Sequence, residues 1–344
     1  MHEPAGSEPA TTTAGGAPAA NSPATGSDTS STDGTVDVVA TVATTLRDPG
    51  LVVLTGVPGA GLTTALRNVA AAFRGPVFTG GGLAILRTNP ALALTRAVRA
   101  RLPVTDPALL TEAVRSRVRG GLLVIDDLQW ADPLTLGALP GLAEHCRVLV
   151  ALRTPHPLPP DAVRRLKSTA RTWLPLPPLD EAAATALVRR TAPQLGPASV
   201  ATVVRRAGGI PLALESLARH ATVGEPAEPA RRGGAEGHDP QVAYAVAEAL
   251  ADLTRPARTA MAALGLLGRP ATRQLLGPGV DELTAAGLVT DTDGEILPRS
   301  PYVAEVAAGM LDAEERPLLH RRLAELVPDA EAARHLAAAG DAPA

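Results

Sequence analysis

A short apolar run at residues 51–54 leads directly into a glycine-rich turn at residues 56–64, and a stretch with helical periodicity follows to about residue 73. Four consecutive apolar residues are typical of a parallel strand that is buried on both faces. The turn fits the pattern G-x-x-x-x-G-K-[ST] at Gly56, Gly61 and Thr63. This order of strand, turn and helix predicts a phosphate-binding loop, or P-loop, and therefore a parallel α/β sheet.

The residues of this turn suit the binding of a phosphate group and a metal ion. Glycines at 56, 59 and 61 let backbone N–H groups approach an anion without a clash from Cβ. The first residues of the helix, Leu62, Thr63 and Thr64, add N–H groups and about half a positive charge from the helix dipole. The hydroxyl of Thr63 is placed to bind Mg²⁺. A glycine-rich turn between a strand and a helix need not bind phosphate, so that alternative stays open.

Leu62 occupies the position where the pattern requires lysine. That lysine would reach the outer phosphates, and the loss of one desolvated charge contact costs on the order of 2–5 kcal/mol. At ~1.4 kcal/mol per decade, affinity falls roughly thirty-fold to several-thousand-fold. Three outcomes stay open for this loop: weak binding of ATP, preference for ADP, or no nucleotide at all.

A second apolar run, residues 122–125, ends in two carboxylates, Asp126 and Asp127. This is the pattern of a Walker B element, in which the first carboxylate holds Mg²⁺ through water. The second carboxylate would polarise the attacking water. We expect these aspartates to lie one sheet position away from the P-loop strand. The alternative is that two aspartates merely end a strand.

Two further segments supply candidate site residues. Arg153 follows the apolar run at residues 148–152, which should neighbour the Walker B strand, and would face the outer phosphate; a plain surface arginine is the alternative. Pro211 follows Gly208 and Gly209 at a helix start, where it is either part of a capped turn or an element that packs on the adenine.

Strands that alternate with helices through residue 178 predict βαβ units around a parallel sheet, with residues 174–176 as an edge strand between prolines. Helices alone follow, and then a helix–helix–hairpin pattern around Asp293 and Gly294 that outlines a winged helix. We expect a disordered tail (1–35), a P-loop domain (36–178), a helical lid (179–220), a linker (221–240), a helical and winged-helix domain (241–311) and a helical-repeat stub (312–344).

Composition excludes several classes of protein. The net charge of −3 gives no overall attraction to nucleic acid or to an anionic membrane. The single cysteine, Cys146, excludes an intrachain disulfide and a cysteine-ligated metal cluster. No apolar stretch approaches the ~20 residues that span a bilayer, and residues 1–10 lack a signal-peptide pattern, so we expect a cytoplasmic protein without membrane contact.

With these segments in place, residues 36–341 resemble the ATP-binding part of large LuxR-type transcriptional regulators, in the STAND branch of AAA-like ATPases. The phrase LLVIDDLQWAD at 122–132 is highly specific for that group, and residues 206–219, 253–270, 285–306, 318–327 and 332–341 are similar to its later segments. The resemblance implies a switch in which ADP or ATP is held between the P-loop domain and the winged helix. Nucleotide exchange would open the protein for self-association.

The sequence also departs from that family. Besides Leu62, Ser300 stands where members often carry a histidine that faces the phosphates, and no clear Gly-Arg-x-x-Glu motif occurs near Val36. The segments that match the family do not include most of its helical repeats or its DNA-binding helix-turn-helix. A weak or degenerate ATPase module with slow or absent hydrolysis is therefore expected. The alternative is a nucleotide-free pseudo-ATPase scaffold that binds partner proteins.

Direct DNA binding is not expected of this chain. In residues 280–311 Arg299 is nearly alone among acidic side chains, although contacts with phosphate dominate such binding. Trp130 could stack on a base, but a core or interface role fits it better. His145 and His320 lie in predicted helices with no nucleophile pattern around them, so we expect surface or packing roles.

Overall fold

The structure is a computed structural model that describes residues 33–222 and 239–340. The predicted tail up to residue 32 and most of the predicted linker lie outside these ranges. The first helix begins at Asp33, a few residues before the expected start near Val36. The elements of the α/β part are α1 (Asp33–Thr45), β1 (Gly50–Gly56), α2 (Leu62–Ala72), β2 (Val77–Gly81), α3 (Leu92–Val98), α4 (Pro107–Val118), β3 (Leu122–Asp126), α5 (Pro133–His145), β4 (Arg147–Arg153), α6 (Pro160–Thr169) and β5 (Ala170–Pro175).

These five strands form one parallel sheet with the order β2-β3-β4-β1-β5. The α/β class is confirmed, β5 lies at an edge as predicted, and β4 neighbours β3 as predicted. The expectation that the two aspartates lie one sheet position from the P-loop strand was wrong by one strand, because β4 lies between β1 and β3. Sequence order does not determine the order of strands across a sheet.

The central strands are apolar without interruption because both faces of the sheet are covered. Leu51 and Val53 of β1 belong to the core on one face, with α3, α4 and α5. Val52 and Leu54 belong to the core on the other face, with α1 and α2. Successive side chains of a strand point to opposite faces, so a sheet buried on both sides requires a continuous apolar run.

Helices follow the sheet, as predicted, and the structure has three of them up to residue 222: α7 (Glu181–Thr191), α8 (Pro197–Ala207) and α9 (Pro211–Thr222). The next elements are α10 (Pro240–Ala251), α11 (Arg255–Leu267), β6 (Ala271–Thr272), α12 (Arg273–Leu276), α13 (Val280–Ala285), β7 (Val289–Thr292), β8 (Glu295–Pro298) and α14 (Pro301–Gly309). The last elements of the described residues are α15 (Glu315–Ala324) and α16 (Asp329–Ala338).

The hairpin predicted at Asp293 and Gly294 is present, and both residues have positive φ angles of 54° and 85°. Sequence patterns missed β6, which pairs with β8 and makes a three-stranded antiparallel sheet. A two-residue strand is too short to show the alternation that marks a strand in sequence. In the described ranges, helices that combine the length and the apolar character needed to traverse a bilayer do not occur.

Candidate functional site

The carboxyl ends of three neighbouring strands bring the candidate residues together. β1 leads into the P-loop turn, β3 ends at Asp126, and β4, which lies between them, ends at Arg153. The Oγ1 atom of Thr63 donates a hydrogen bond of 2.8 Å to Oδ2 of Asp126. The hydroxyl and the carboxylate predicted to hold Mg²⁺ are therefore in direct contact, although 63 residues separate them in sequence.

The P-loop turn depends on two glycines with left-handed backbone angles. Gly59 has φ 79° and Gly61 has φ 91°. Helix α9 packs directly on the turn, because the Leu212 N–H donates to the Gly59 carbonyl at 3.3 Å. A Cβ on Gly59 would lie 2.8 Å from the Leu212 side chain. Gly59 is thus required both by its backbone angle and by the close approach of α9.

The N-terminus of α2 leaves N–H groups available for an anion. Within the described residues, no side chain caps this helix at Gly61. The first N–H groups of any helix have no partner within the helix itself. Together with the helix dipole, they make this end of α2 suitable for a phosphate group.

Leu62 lies at the start of α2 and packs into the core beneath the P-loop. Its side chain is 8% exposed and belongs to the same apolar cluster as Val52, Leu54 and Leu66. It also lines the cavity above the turn. The leucine therefore lies at the boundary between the core and the cavity, and it brings no charge into the cavity.

The two aspartates have different surroundings. Burial raises the pKa of Asp126, and the hydrogen bond from Thr63 partly offsets this effect. Asp127 has a positive φ of 49°, which is uncommon outside glycine. Its Oδ1 atom pairs with Nη2 of Arg153 at 2.9 Å and accepts a hydrogen bond of 2.9 Å from Nε2 of Gln129. The Asp127 carboxylate is therefore already engaged by protein donors.

Arg153 contacts a residue that sequence analysis did not single out. Its Nη1 atom pairs with Oε2 of Glu248 in α10. Oε1 of the same glutamate accepts a hydrogen bond of 3.2 Å from the indole nitrogen of Trp130. Trp130 therefore contacts helix α10 through Glu248. Arg153 and Glu248 are 95 residues apart, and no local pattern in the sequence marks a glutamate within an apolar helix as a partner of a distant arginine.

Two neighbouring cavities lie on this edge of the sheet. The first, of about 330 Å³, is lined by nine of the ten predicted site residues: Gly59, Gly61, Leu62, Thr63, Thr64, Asp126, Asp127, Arg153 and Pro211. The tenth, Gly56, ends β1, where a Cβ would lie 3.2 Å from the Cβ of Ala60. The second cavity, of about 260 Å³, lies between α2, α7 and α9 and shares Pro211 with the first.

The residues present fit Mg²⁺ and the inner phosphates of a nucleotide. Mg²⁺ keeps several waters and takes only one or two protein ligands beside the phosphates. Thr63 and Asp126 supply two such oxygens. A cluster of three or more His, Cys, Asp or Glu that could hold a metal by itself does not occur in the described part of the chain. The second cavity adds room for a nucleoside beside the P-loop.

Ser300 does not take the place of the histidine that the family resemblance implies. Its side chain is 1% exposed and caps α14, with Oγ accepting from the Val303 N–H at 3.3 Å. Its hydroxyl also donates to the Arg206 carbonyl at 3.2 Å. Ser300 therefore joins α14 to α8 and is not among the residues that line either cavity.

Comparisons by sequence found no relatives: no family model matches the chain, and no curated protein matches it. Solved structures do align with it, at low identity. A Signal Transduction ATPase with Numerous Domains (STAND) protein with a tetratricopeptide repeat sensor from Pyrococcus horikoshii is 16% identical with a TM-score of 0.35, over 88% of this chain and 47% of that one. The chain thus spans about half the length of the STAND protein.

Two further solved structures align over most of both chains. A Walker-type ATPase of Pyrococcus abyssi is 12% identical with a TM-score of 0.49, over 79% of this chain and 95% of that one. The ORC2 protein of Aeropyrum pernix, solved in ADPNP–ADP complexes, is 16% identical with a TM-score of 0.49, over 82% and 93% of the two chains. The α/β fold assigned to this chain rests on its own parallel sheet and on the turn that joins β1 to α2.

Proposed function

We propose that this chain is a nucleotide-responsive signalling module that binds ADP or ATP with Mg²⁺ at the P-loop, with slow or absent hydrolysis. The observation that carries the proposal is the 2.8 Å hydrogen bond between Thr63 and Asp126. It pairs the two side chains that the P-loop and Walker B patterns assign to Mg²⁺, beside a helix N-terminus that has no side-chain cap among the described residues.

Each predicted residue has a defined part in this proposal. The turn from Gly56 to Thr64 would bind the inner phosphates through its backbone N–H groups, and Thr63 and Asp126 would hold Mg²⁺. The bound ion would neutralise charge on the phosphate oxygens. Pro211 would border the nucleoside in the second cavity.

Slow hydrolysis follows from the positions of Leu62 and Asp127. No lysine stabilises negative charge on the outer phosphate. The Asp127 carboxylate, which would have to polarise water, is engaged by Arg153 and Gln129. Both contacts fall on Oδ1, so this oxygen must lose a protein donor before it can orient a water molecule.

The finer assignment is that the chain is related to the ATP-binding region of LuxR-type transcriptional regulators within the STAND group. It is supported by the resemblance of residues 122–132 and of the later segments up to residue 341. In this assignment nucleotide exchange alters the contacts between the P-loop part and helices α10–α14. Self-association or a partner protein would then receive the signal.

A second candidate function is a pseudo-ATPase scaffold that binds partner proteins without a nucleotide. Two observations favour it. Leu62 is buried at the lysine position, and Arg153 is held between Asp127 and Glu248. Both features reduce the positive charge available to a triphosphate.

Thermal unfolding with millimolar nucleotide separates the two functions. A ligand that binds only the folded state stabilises it by about 2.7 kcal/mol when present at 100 times its Kd. We expect Mg·ADP to raise the Tm of the wild type, and EDTA to reduce that rise. Thr63→Val, which keeps the shape but removes the hydroxyl, should lose the dependence on Mg²⁺.

The control for this experiment is Thr202→Val, the same change on an exposed face of α8. It should leave the nucleotide-dependent rise in Tm unaltered. If the folded wild type shows no rise with either nucleotide at millimolar concentration, nucleotide binding is contradicted and the result favours the scaffold.

A further inference from the structure

Helix α10 contributes a carboxylate to the lining of the cavity beside the P-loop. The Glu248 side chain is 16% exposed and lines the cavity together with Thr63, Asp126 and Arg153. Both of its oxygens are used: one pairs with the Arg153 guanidinium, and the other accepts from the Trp130 indole at 3.2 Å. Because both oxygens are paired with protein donors, the Glu248 side chain is held in place and is not freely solvated.

The donors that hold Glu248 are the ones an outer phosphate would need. A guanidinium binds carboxylate and phosphate oxygens with the same forked geometry. Arg153 already contacts Asp127 through Nη2 and Glu248 through Nη1. Both terminal nitrogens of Arg153 are thus paired with carboxylates, so an added phosphoryl group would compete with Asp127 and Glu248 for the guanidinium.

The charge of the cavity also opposes the binding of an outer phosphate. Of the described residues that line it, Asp126, Asp127, Glu215 and Glu248 are acidic, and Arg153 is basic. Like charges held close together in a partly desolvated site repel each other strongly. The inner phosphates would be bound by the uncapped backbone N–H groups at the start of α2, whereas an outer phosphate would compete with Glu248 for Arg153.

From these contacts we infer that Glu248 acts as an internal substitute for an outer phosphate and makes the site select a nucleoside diphosphate over a triphosphate. The inference rests on the proposed function, because it concerns the same nucleotide site. Binding of a triphosphate requires Glu248 to leave Arg153, and the position of α10 then reports which nucleotide is bound. The selectivity for a diphosphate and the movement of α10 thus both depend on the ion pair between Glu248 and Arg153.

The test is calorimetric titration of the full chain with Mg·ADP and with Mg·ATP. Glu248→Gln keeps the side-chain length and an acceptor for Trp130, but it removes the negative charge. We expect the ratio of ATP affinity to ADP affinity to rise at least tenfold in Glu248→Gln, with the ADP affinity changed by less than threefold. Glu325→Gln, the same substitution at an exposed position beyond α15, should leave the ratio unchanged.

Tryptophan emission gives a readout that is independent of affinity. The chain has two tryptophans, so in a Trp173→Phe background Trp130 alone reports on its contact with Glu248. Saturating Mg·ATP should shift this emission and saturating Mg·ADP should not. Glu248→Ala serves as a second variant if Glu248→Gln does not fold.

The outcomes separate this inference from the proposed function. Equal ratios of ATP to ADP affinity in wild type and in Glu248→Gln would overturn the inference and leave nucleotide binding intact. Absence of binding to the wild type, to Glu248→Gln and to Leu62→Lys would overturn both. A raised ratio together with the emission shift supports the inference.

Discussion

Leu62 decides how much positive charge the P-loop brings to a nucleotide. Its side chain lies at the boundary between the core and the cavity, so a longer side chain can follow the same path and end in the cavity. We expect Leu62→Lys to raise ATP affinity at least tenfold, about 1.4 kcal/mol, because the ammonium group would reach the outer phosphates. Calorimetric titration with Mg·ATP measures the change.

Leu62→Met is the matched control for this prediction, since it lengthens the side chain without adding charge. It should leave the affinity within about twofold of wild type. If folded Leu62→Lys binds ATP no better than Leu62→Met, the P-loop of this chain does not hold the phosphates as the motif implies.

The residues of the motifs could be predicted from the sequence because each motif fixes local geometry. Gly61, Thr63 and Asp126 belong to short patterns whose chemistry requires a set spacing. Glu248 could not be predicted in this way. Its contact with Arg153 depends on how α10 packs against the end of the sheet, and nothing within a few residues of Glu248 encodes that packing.

At the scale of elements, the strands and helices were largely predictable because apolar runs and helical periodicity persist over their whole length. The order of the strands was not, and the expectation about β1 and β3 was wrong for that reason. Packing between segments that are distant in sequence determines which strands of a parallel sheet become hydrogen-bonded neighbours. The short strand β6 could not be predicted either, because two residues are too few to show the alternation of apolar and polar residues that marks a strand.

The contact between the P-loop and α9 gives a prediction at this scale. Gly59 and Gly120 both have φ 79°, but a Cβ on Gly59 would meet Leu212 at 2.8 Å, whereas a Cβ on Gly120 would meet nothing within 4 Å. Gly120→Ala should cost about 1–2 kcal/mol of unfolding free energy from its backbone angle alone. Gly59→Ala should cost a further ~1–3 kcal/mol, because α9 must shift.

Urea unfolding of the two variants measures both costs. Nucleotide affinity should fall in Gly59→Ala and stay unchanged in Gly120→Ala, since Gly120 lies at the opposite end of the sheet from the P-loop. Equal destabilisation of the two variants would mean that α9 yields freely and does not constrain the turn.

At the scale of the whole molecule, ion pairs join elements that are far apart in sequence. Arg206 of α8 pairs with Glu305 of α14 at 2.5 Å, and Arg269 pairs with Glu331 of α16 at 2.7 Å. The first pair is 99 residues apart in sequence and the second is 62 residues apart. Contacts over such separations could not be predicted from local sequence patterns and are seen only in the structure.

The last two helices carry a buried pair of histidines. His320 of α15 is 8% exposed and His335 of α16 is 4% exposed, and their Nδ1 atoms lie 2.8 Å apart. One nitrogen must donate a proton and the other must accept it, so the contact requires at least one neutral ring. Burial, followed by the charges of His335 and Arg316, lowers the pKa of His320 to about 4.

The pKa of His335 is also lowered, mainly by burial, although Glu331 opposes the shift and Arg334 and Arg269 add to it. Unfolded histidine has a pKa of about 6.5. Between pH 6.5 and 4 the unfolded state therefore binds more protons than the folded state, and the free energy of unfolding falls as pH falls. For His320 the loss between pH 7.5 and pH 5 is about 2 kcal/mol.

Urea unfolding at pH 7.5 and pH 5 checks this loss against two variants. Replacement of both histidines by leucine keeps the helices packed without a titrating pair, so the double variant should lose about 2 kcal/mol less than wild type over this range. His145→Gln changes a side chain that is 49% exposed and should retain the wild-type dependence on pH. An equal loss in wild type and in the double variant would mean that burial in the folded state does not lower the pKa of either histidine.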